Sequence, residues 1–185
     1  MSHNFTNGKW SDPEVPKRDW YCTGGYDRGR DNLELCDMCE SASVRYVHVM
    51  RHDAYPDLLE VGCICAGNMT QDEEGAKRRE ADVRNRSKRR ENWPFLRKWR
   101  LSRNGNPTLR MLGHFITVFR RGPSWGWLIV RRYDDRKWFS TELYATDVAA
   151  KLATFDAFEK ICEEDVTRRA SQTDDDDEAL PSDRL

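Results

Sequence analysis

The chain has 185 residues, 38% of them hydrophobic and 34% charged, which is lean for one large core and suits two small modules. Its first twenty residues are polar and no apolar run is long enough to span a bilayer, so neither a secretory signal nor a membrane span is expected and the location is read as cytoplasmic. The net charge of −1 hides a strong asymmetry: residues 1–74 hold 7 basic and 14 acidic side chains, residues 75–137 hold 19 and 5, and residues 138–185 hold 5 and 13. A central block of net charge +14 between acidic ends points to a polyanion-binding surface.

Residues 1–19 show no periodicity and are expected to be disordered. The next stretch, residues 20–70, contains five of the six cysteines. In a reducing compartment, cysteines paired at short spacing are metal ligands more often than disulfides. Cys36-Asp37-Met38-Cys39 and Cys63-Ile64-Cys65 are two such pairs. Between them, Val44–His52 and Leu58–Val61 are rich in β-branched and aromatic residues and predict a hairpin around a Tyr55-Pro56-Asp57 turn. Four thiolates from Cys36, Cys39, Cys63 and Cys65 suit tetrahedral zinc, and a closed set of four predicts one structural ion with no open position. Cys22 is the rival ligand, either in place of Cys65 or in a second metal site with a histidine. His48 and His52, four apart on a strand, would lie about 13 Å apart and cannot share an ion; they are expected as polar residues on the hairpin face.

Thr70 followed by Glu73 has the pattern of a capping box, opening a charged helix from Gln71 to about Asn92. Residues 71–98 are read as a basic helical linker, in which Arg86, Lys88, Arg89, Arg90, Arg97 and Lys98 would line a phosphate backbone without reading sequence. Short strands follow at Arg100–Ser102, Leu109–Leu112, Phe115–Arg121, Trp125–Arg132 and Lys137–Leu143, each bounded by Gly, Pro or Asp. Thr146 then caps a helix with Val148, Leu152, Phe155, Phe158 and Cys162 on one face, able to cover one side of the sheet. His114 stands at a Gly-flanked strand start without an evident partner. Residues 171–185, with Asp174 to Glu178 in a row, are expected to be an acidic disordered tail. The fold class is therefore α+β: a small zinc-bound hairpin-helix module, a basic linking helix, then a three- to four-stranded antiparallel sheet over residues 99–165 covered by a C-terminal helix.

Over about residues 20–80, the cysteine knuckle, the hairpin and Val61-Gly62-Cys63-Ile64-Cys65-Ala66-Gly67 leading into a helix resemble treble-clef and zinc-ribbon modules, which implies a scaffold for nucleic-acid or protein binding. Over about residues 113–162, three strands, the Trp125-Gly126-Trp127 element and the helix opened by Tyr144-Ala145-Thr146-Asp147 resemble the ββα module of ethylene-response-factor-type and integrase arm-type DNA-binding domains. That resemblance implies DNA contacts at Arg120, Arg121, Trp125, Trp127 and Arg131. The chain departs from it where Leu128-Ile129-Val130 replaces the charge usual in that family.

No Gly-rich phosphate loop, His-Glu-x-x-His, Gly-x-Ser-x-Gly or deaminase motif is present, so no catalytic residue and no small-molecule substrate are expected. Together these features predict a non-enzymatic, zinc-containing nucleic-acid-binding accessory or regulatory protein, with DNA favoured over RNA. The alternative is a protein-interaction adaptor built on the structural zinc.

Overall fold

The first strand forms where the sequence gives little strand signal. The computed structural model, which describes residues 6–177, places the glycine-bearing segment 21–27 in β1 (Tyr21–Asp27), followed by β2 (Glu34–Leu35), β3 (Ser43–Val44), β4 (Tyr46–His52) and β5 (Tyr55–Val61). Two helices come next, α1 (Cys63–Thr70) and α2 (Glu73–Asn92). β4 is the centre of an antiparallel sheet of order β1-β4-β5, and β2 pairs with β3 separately. Gly25 is needed in β1 because a Cβ there would lie 2.7 Å from the Val47 carbonyl oxygen and 3.3 Å from Val83 of α2. The missing side chain lets the helix press onto the strand. The hairpin was expected, but Tyr55-Pro56-Asp57 opens β5 instead of making its turn.

The chain divides into two units, the first ending at Arg89 and the second beginning at Arg90. The core of the first contains Val15, Trp20, Met38, Val47, Met50, Leu59, Val61, Met69 and Ala76. Two expectations change here. Residues 6–19 are not a loose end: Val15 is buried, Trp10 packs against the core, and the Trp20 indole donates to the Pro16 carbonyl at 2.8 Å; residues 1–5 lie outside the described residues. Nor is α2 a free linker, because Ala76, Val83 and Ser87, near one helical face, are held by the core, by Gly25 and by Asp27 respectively. Its N-cap is Asp72, whose carboxylate accepts the Gly75 N–H at 2.7 Å. Thr70 instead ends α1 and bonds back to the Ala66 carbonyl at 2.9 Å, as hydroxyls inside helices do.

The second unit holds β6 (Arg100–Leu101), β7 (Pro107–Met111), β8 (His114–Arg121), β9 (Ser124–Arg131), β10 (Lys137–Phe139) and α3 (Asp147–Asp177). The strands form one antiparallel sheet of order β10-β9-β8-β7-β6, five strands where three to four were expected. Thr146 caps α3 as the sequence predicts, accepting the Ala149 N–H at 3.1 Å. α3 lays Ala150, Phe155, Phe158 and Ile161 over Leu109, Ile116, Val118, Trp127 and Ile129, each large side chain contributing roughly 1.5–3 kcal/mol. Trp93 completes this core, its indole donating to the Thr154 hydroxyl at 3.0 Å. The acidic tail was expected to start at residue 171, yet α3 continues to Asp177; residues 178–185 lie outside the described residues. No helix among the described residues is long and apolar enough to cross a membrane.

Candidate metal centre and basic sheet face

Cys36 and Cys39 stand in the turn between β2 and β3, and Cys65 lies in the first turn of α1. Their three sulfurs are within 4.8 Å of one another and all three residues are buried. The turn is tightened by the Glu40 N–H on the Cys36 carbonyl and the Cys36 N–H on that of Ala42, both at 2.8 Å. Gly8 lies against it so closely that a Cβ would come 2.9 Å from the Cys39 carbonyl carbon. The Cys36 thiol pKa is pushed down, first by the Cys65 thiol donating to it and then by the amides of Cys39, Gly62 and Met38, against the opposing effect of burial. The paired Cys65 thiol moves upward for the same reason. Amide donors converging on sulfur stabilise a thiolate, the form that binds metal. This cysteine group is able to hold a metal ion.

Cys63 does not join it. Because α1 begins at Cys63, residues 63 and 65 are two apart on a helix, about 200° around its axis, so their sulfurs diverge although both residues border one cleft. The one-residue gap would allow both thiolates to chelate only from an extended loop. Cys63 turns instead toward His48 of β4 and Glu80 of α2, with one ligand atom of each within 4.8 Å of the others. The expectation that His48 is a polar hairpin residue is overturned by its burial, at 2% exposure; burial pushes its pKa down, favouring the neutral ring. His52 stays apart, accepting the Ala54 N–H at 3.0 Å and packing 5.3 Å from Trp20. Cys22 belongs to neither group and donates to the Gly24 carbonyl at 3.2 Å.

The residues expected to touch nucleic acid fall into three sets. Arg86, Lys88, Arg89, Arg97, Lys98, Arg120 and Arg121 are exposed. Arg90 is half-buried and grips Asp156 through Nε and Nη2 at 2.8–3.0 Å. Trp125, Trp127 and Arg131 share the face of β9 that α3 covers. Trp127 is in the core and Trp125 packs against it. Arg131 is 1% exposed, donating to Asp165 and Asp134. A buried, doubly paired guanidinium is a structural cation and not a DNA contact. His114 bonds the Leu112 carbonyl through Nδ1 at 2.8 Å and rests its ring against Phe158, while its Nε2, 3.7 Å from Asp165, makes no hydrogen bond among the described residues.

The opposite face of the sheet is organised by register. One row runs Arg110, Phe115, Val130, Lys137 and the next Arg100, Thr108, Thr117, Leu128, Phe139. Arg100, Arg110, Lys137 and Phe139 are exposed and the rest of these two rows half-buried. The Arg110 guanidinium lies over the Phe115 ring at 5.0 Å, and Phe119 rests on Gly126, with ring carbons 3.3 Å from where a Cβ would be. α3 packs against β8 and β9 on the other side. Alternation along β9 separates Leu128 and Val130 from Trp125, Trp127 and Arg131; which face the helix would take, and how the other strands line up with it, is not written there.

No protein-family model, curated protein or solved structure matches this chain. Function is therefore read from the two sites themselves.

Proposed function

We propose that this protein binds single-stranded nucleic acid, DNA in the first instance, on the open face of its five-stranded sheet, while a structural zinc ion orders the first unit. The observation that carries this reading is the pair of cross-strand rows in which Phe115 and Phe139 are interleaved with Arg100, Arg110 and Lys137. Aromatic rings on a sheet offer stacking platforms to bases, and cations at the row ends meet the phosphates. A sheet whose other side is sealed by α3 presents these groups rigidly. The basic surface of α2, with Lys88 at its exposed side, adds salt-sensitive attraction.

Zinc is favoured in the first unit because three soft sulfur donors converge from a tight turn and a helix start. There Cys36, Cys39 and Cys65 would hold the ion, which would tie the β2–β3 turn to α1, as in a treble-clef-like module. Its role is folding energy, tying the β2–β3 turn and α1 to the core of the first unit.

Fluorescence anisotropy with a labelled single-stranded DNA, its RNA counterpart and a duplex tests the reading. Phe115→Ala is expected to weaken the single-stranded complex about 5- to 150-fold, the range for loss of one stacked base. Arg110→Ala is expected to flatten the dependence of log K on log salt by about 0.7. Binding no tighter than about 1 mM at low salt, outside the usual range for non-specific complexes, would overturn the proposal. Equal affinity of wild type and Phe115→Ala would remove the sheet face from it.

A further inference from the structure

We infer that the first unit holds a second metal site, formed by His48, Cys63 and Glu80 and distinct from the three-cysteine group. The three residues come from three elements: β4, the first position of α1, and α2. Their candidate donor atoms, an imidazole nitrogen, a thiol sulfur and a carboxylate oxygen, all lie within 4.8 Å of one another. Ligand atoms around a tetrahedral zinc ion stand roughly 3.5 Å apart for bonds of 2.0–2.3 Å, so a small inward adjustment closes the set.

The independent sign of a missing ligand is His48. Its side chain is 2% exposed, and its Nε2 is shielded from water with no hydrogen-bond partner among the described residues. A buried ring nitrogen left without a partner costs about 1–3 kcal/mol, an expense a fold tolerates when something else satisfies the group. Cys63 does not satisfy it, which argues against a nucleophile–base pair, because that chemistry needs the histidine hydrogen-bonded to the thiol. Coordination to an ion would satisfy the nitrogen, while the carboxylate, now paired with Arg84 at 2.5 Å and bonded to the Cys63 thiol, would turn to the metal with the sulfur.

One nitrogen, one sulfur and one oxygen donor suit a borderline divalent ion of the zinc or cobalt type, and two anionic ligands balance its charge. Three protein ligands are the number found in open sites, where a fourth position is taken by water or another small ligand. Such space exists: Cys63 and Glu80 line a cleft of about 500 Å³ whose other walls include Arg45, Tyr46 and Cys65. The second site is thus an open centre beside a cleft that Cys36 and Cys65 also border; its mixed donors and half-buried Cys63 and Glu80 set it apart from the fully buried three-sulfur group, and it does not depend on nucleic-acid binding.

The test is metal counting on the full-length protein, stripped under reducing conditions and then equilibrated by dialysis against Co²⁺ or, separately, Zn²⁺. Glu80→Ala changes a half-exposed residue on the surface of α2 and should leave far-ultraviolet circular dichroism unchanged; His48→Asn removes the buried ligand. Each is expected to bind one ion fewer per chain than the wild type, and the Co²⁺ complex should lose the part of its visible absorption owed to the mixed site. A folded Glu80→Ala protein that binds as many ions as the wild type, with the same Co²⁺ spectrum, would overturn the inference.

Discussion

Arg131→Met tests whether β9 turns its arginine inward. The guanidinium donates to Asp134 through Nε at 2.9 Å and to Asp165 through Nη1, and its centre lies 4.5 Å from the Tyr133 ring and 5.4 Å from that of Trp138. Methionine preserves much of the stem but leaves Asp165, 8% exposed, without its closest cation. Breaking a buried pair costs roughly 3–5 kcal/mol. Asp165 keeps Arg168 at 2.6 Å, so the lower end, about 3 kcal/mol, is expected. For a unit of about a hundred residues each kcal/mol moves Tm by roughly 4–8 °C, which places the loss near 15 °C. Differential scanning calorimetry reads it, with the second unit's transition moving and the first unit's unchanged. Single-strand affinity, measured well below that transition, should stay within about twofold of wild type. A transition displaced by less than about 2 °C together with a large loss of affinity would refute the inward placement and return Arg131 to the ligand.

Two further changes probe the first unit. Cys65→Ser should abolish zinc binding at the cysteine group and lower the first unit's transition, whereas Cys63→Ser should leave that ion in place; zinc content and calorimetry on both proteins check this, and loss of the same ion from both would restore the four-cysteine site. Asp27 joins β1, the β3–β4 bend and α2 by accepting two bonds from Arg45 at 2.8 Å, one from the Ser87 hydroxyl and one from the Gly29 amide. The Arg45 guanidinium, ahead of the hydroxyl and the amide, holds its carboxyl well below the usual carboxylate range, against the desolvation that would raise it. A depressed folded-state pKa stabilises the fold fully above the unfolded value near 4 and loses that contribution as pH falls through the folded value. Asp27→Asn should therefore destabilise the first unit by about 2–3 kcal/mol at pH 7, the scale of charge-assisted bonds, and by progressively less under acid, followed by denaturant titrations from pH 7 to 2. A cost independent of pH would mean that the charge is not what matters.

The parts of the fold legible in the sequence were those with local causes. Thr146 announces α3 through its hydroxyl, the alternation from Phe115 to Arg131 announces β8 and β9, and Val44 to His52 announces β4. What the sequence hid depended on tertiary contact. β1 carries Gly25, a poor strand former, because the Val47 carbonyl of β4 and Val83 of α2 both approach its backbone. The cysteine pairs were visible, but their grouping turned on where α1 starts: a helix opening at Cys63 separates two sulfurs that a loop would have kept together. Glu80 had no reason to stand out among the charges of α2 until β4 brought His48 beneath it.

The choice of sheet face follows the same logic and can be separated experimentally. Alternation assigns Trp125, Trp127 and Arg131 to one side of β9 and Leu128 and Val130 to the other, and tryptophan with arginine is the more tempting nucleic-acid signature. α3 needs large apolar partners, however, and the tryptophan side provides them, so the more aromatic strand face is spent on the core. What remains outside is modest in any one strand and coherent only across strands, where Arg110, Phe115 and Lys137 fall in one row although they are far apart in sequence. Truncations should therefore dissociate. Trp127→Ala removes a core ring and is expected to cost about 3–5 kcal/mol of stability, with little effect on affinity while the protein is folded. Phe139→Ala removes a ring that is 59% exposed and should change Tm by no more than a few degrees while weakening single-strand binding about 5-fold or more. If Trp127→Ala proved stable and binding-deficient while Phe139→Ala bound normally, the helix-covered side would be the working surface and the assignment of faces would be reversed.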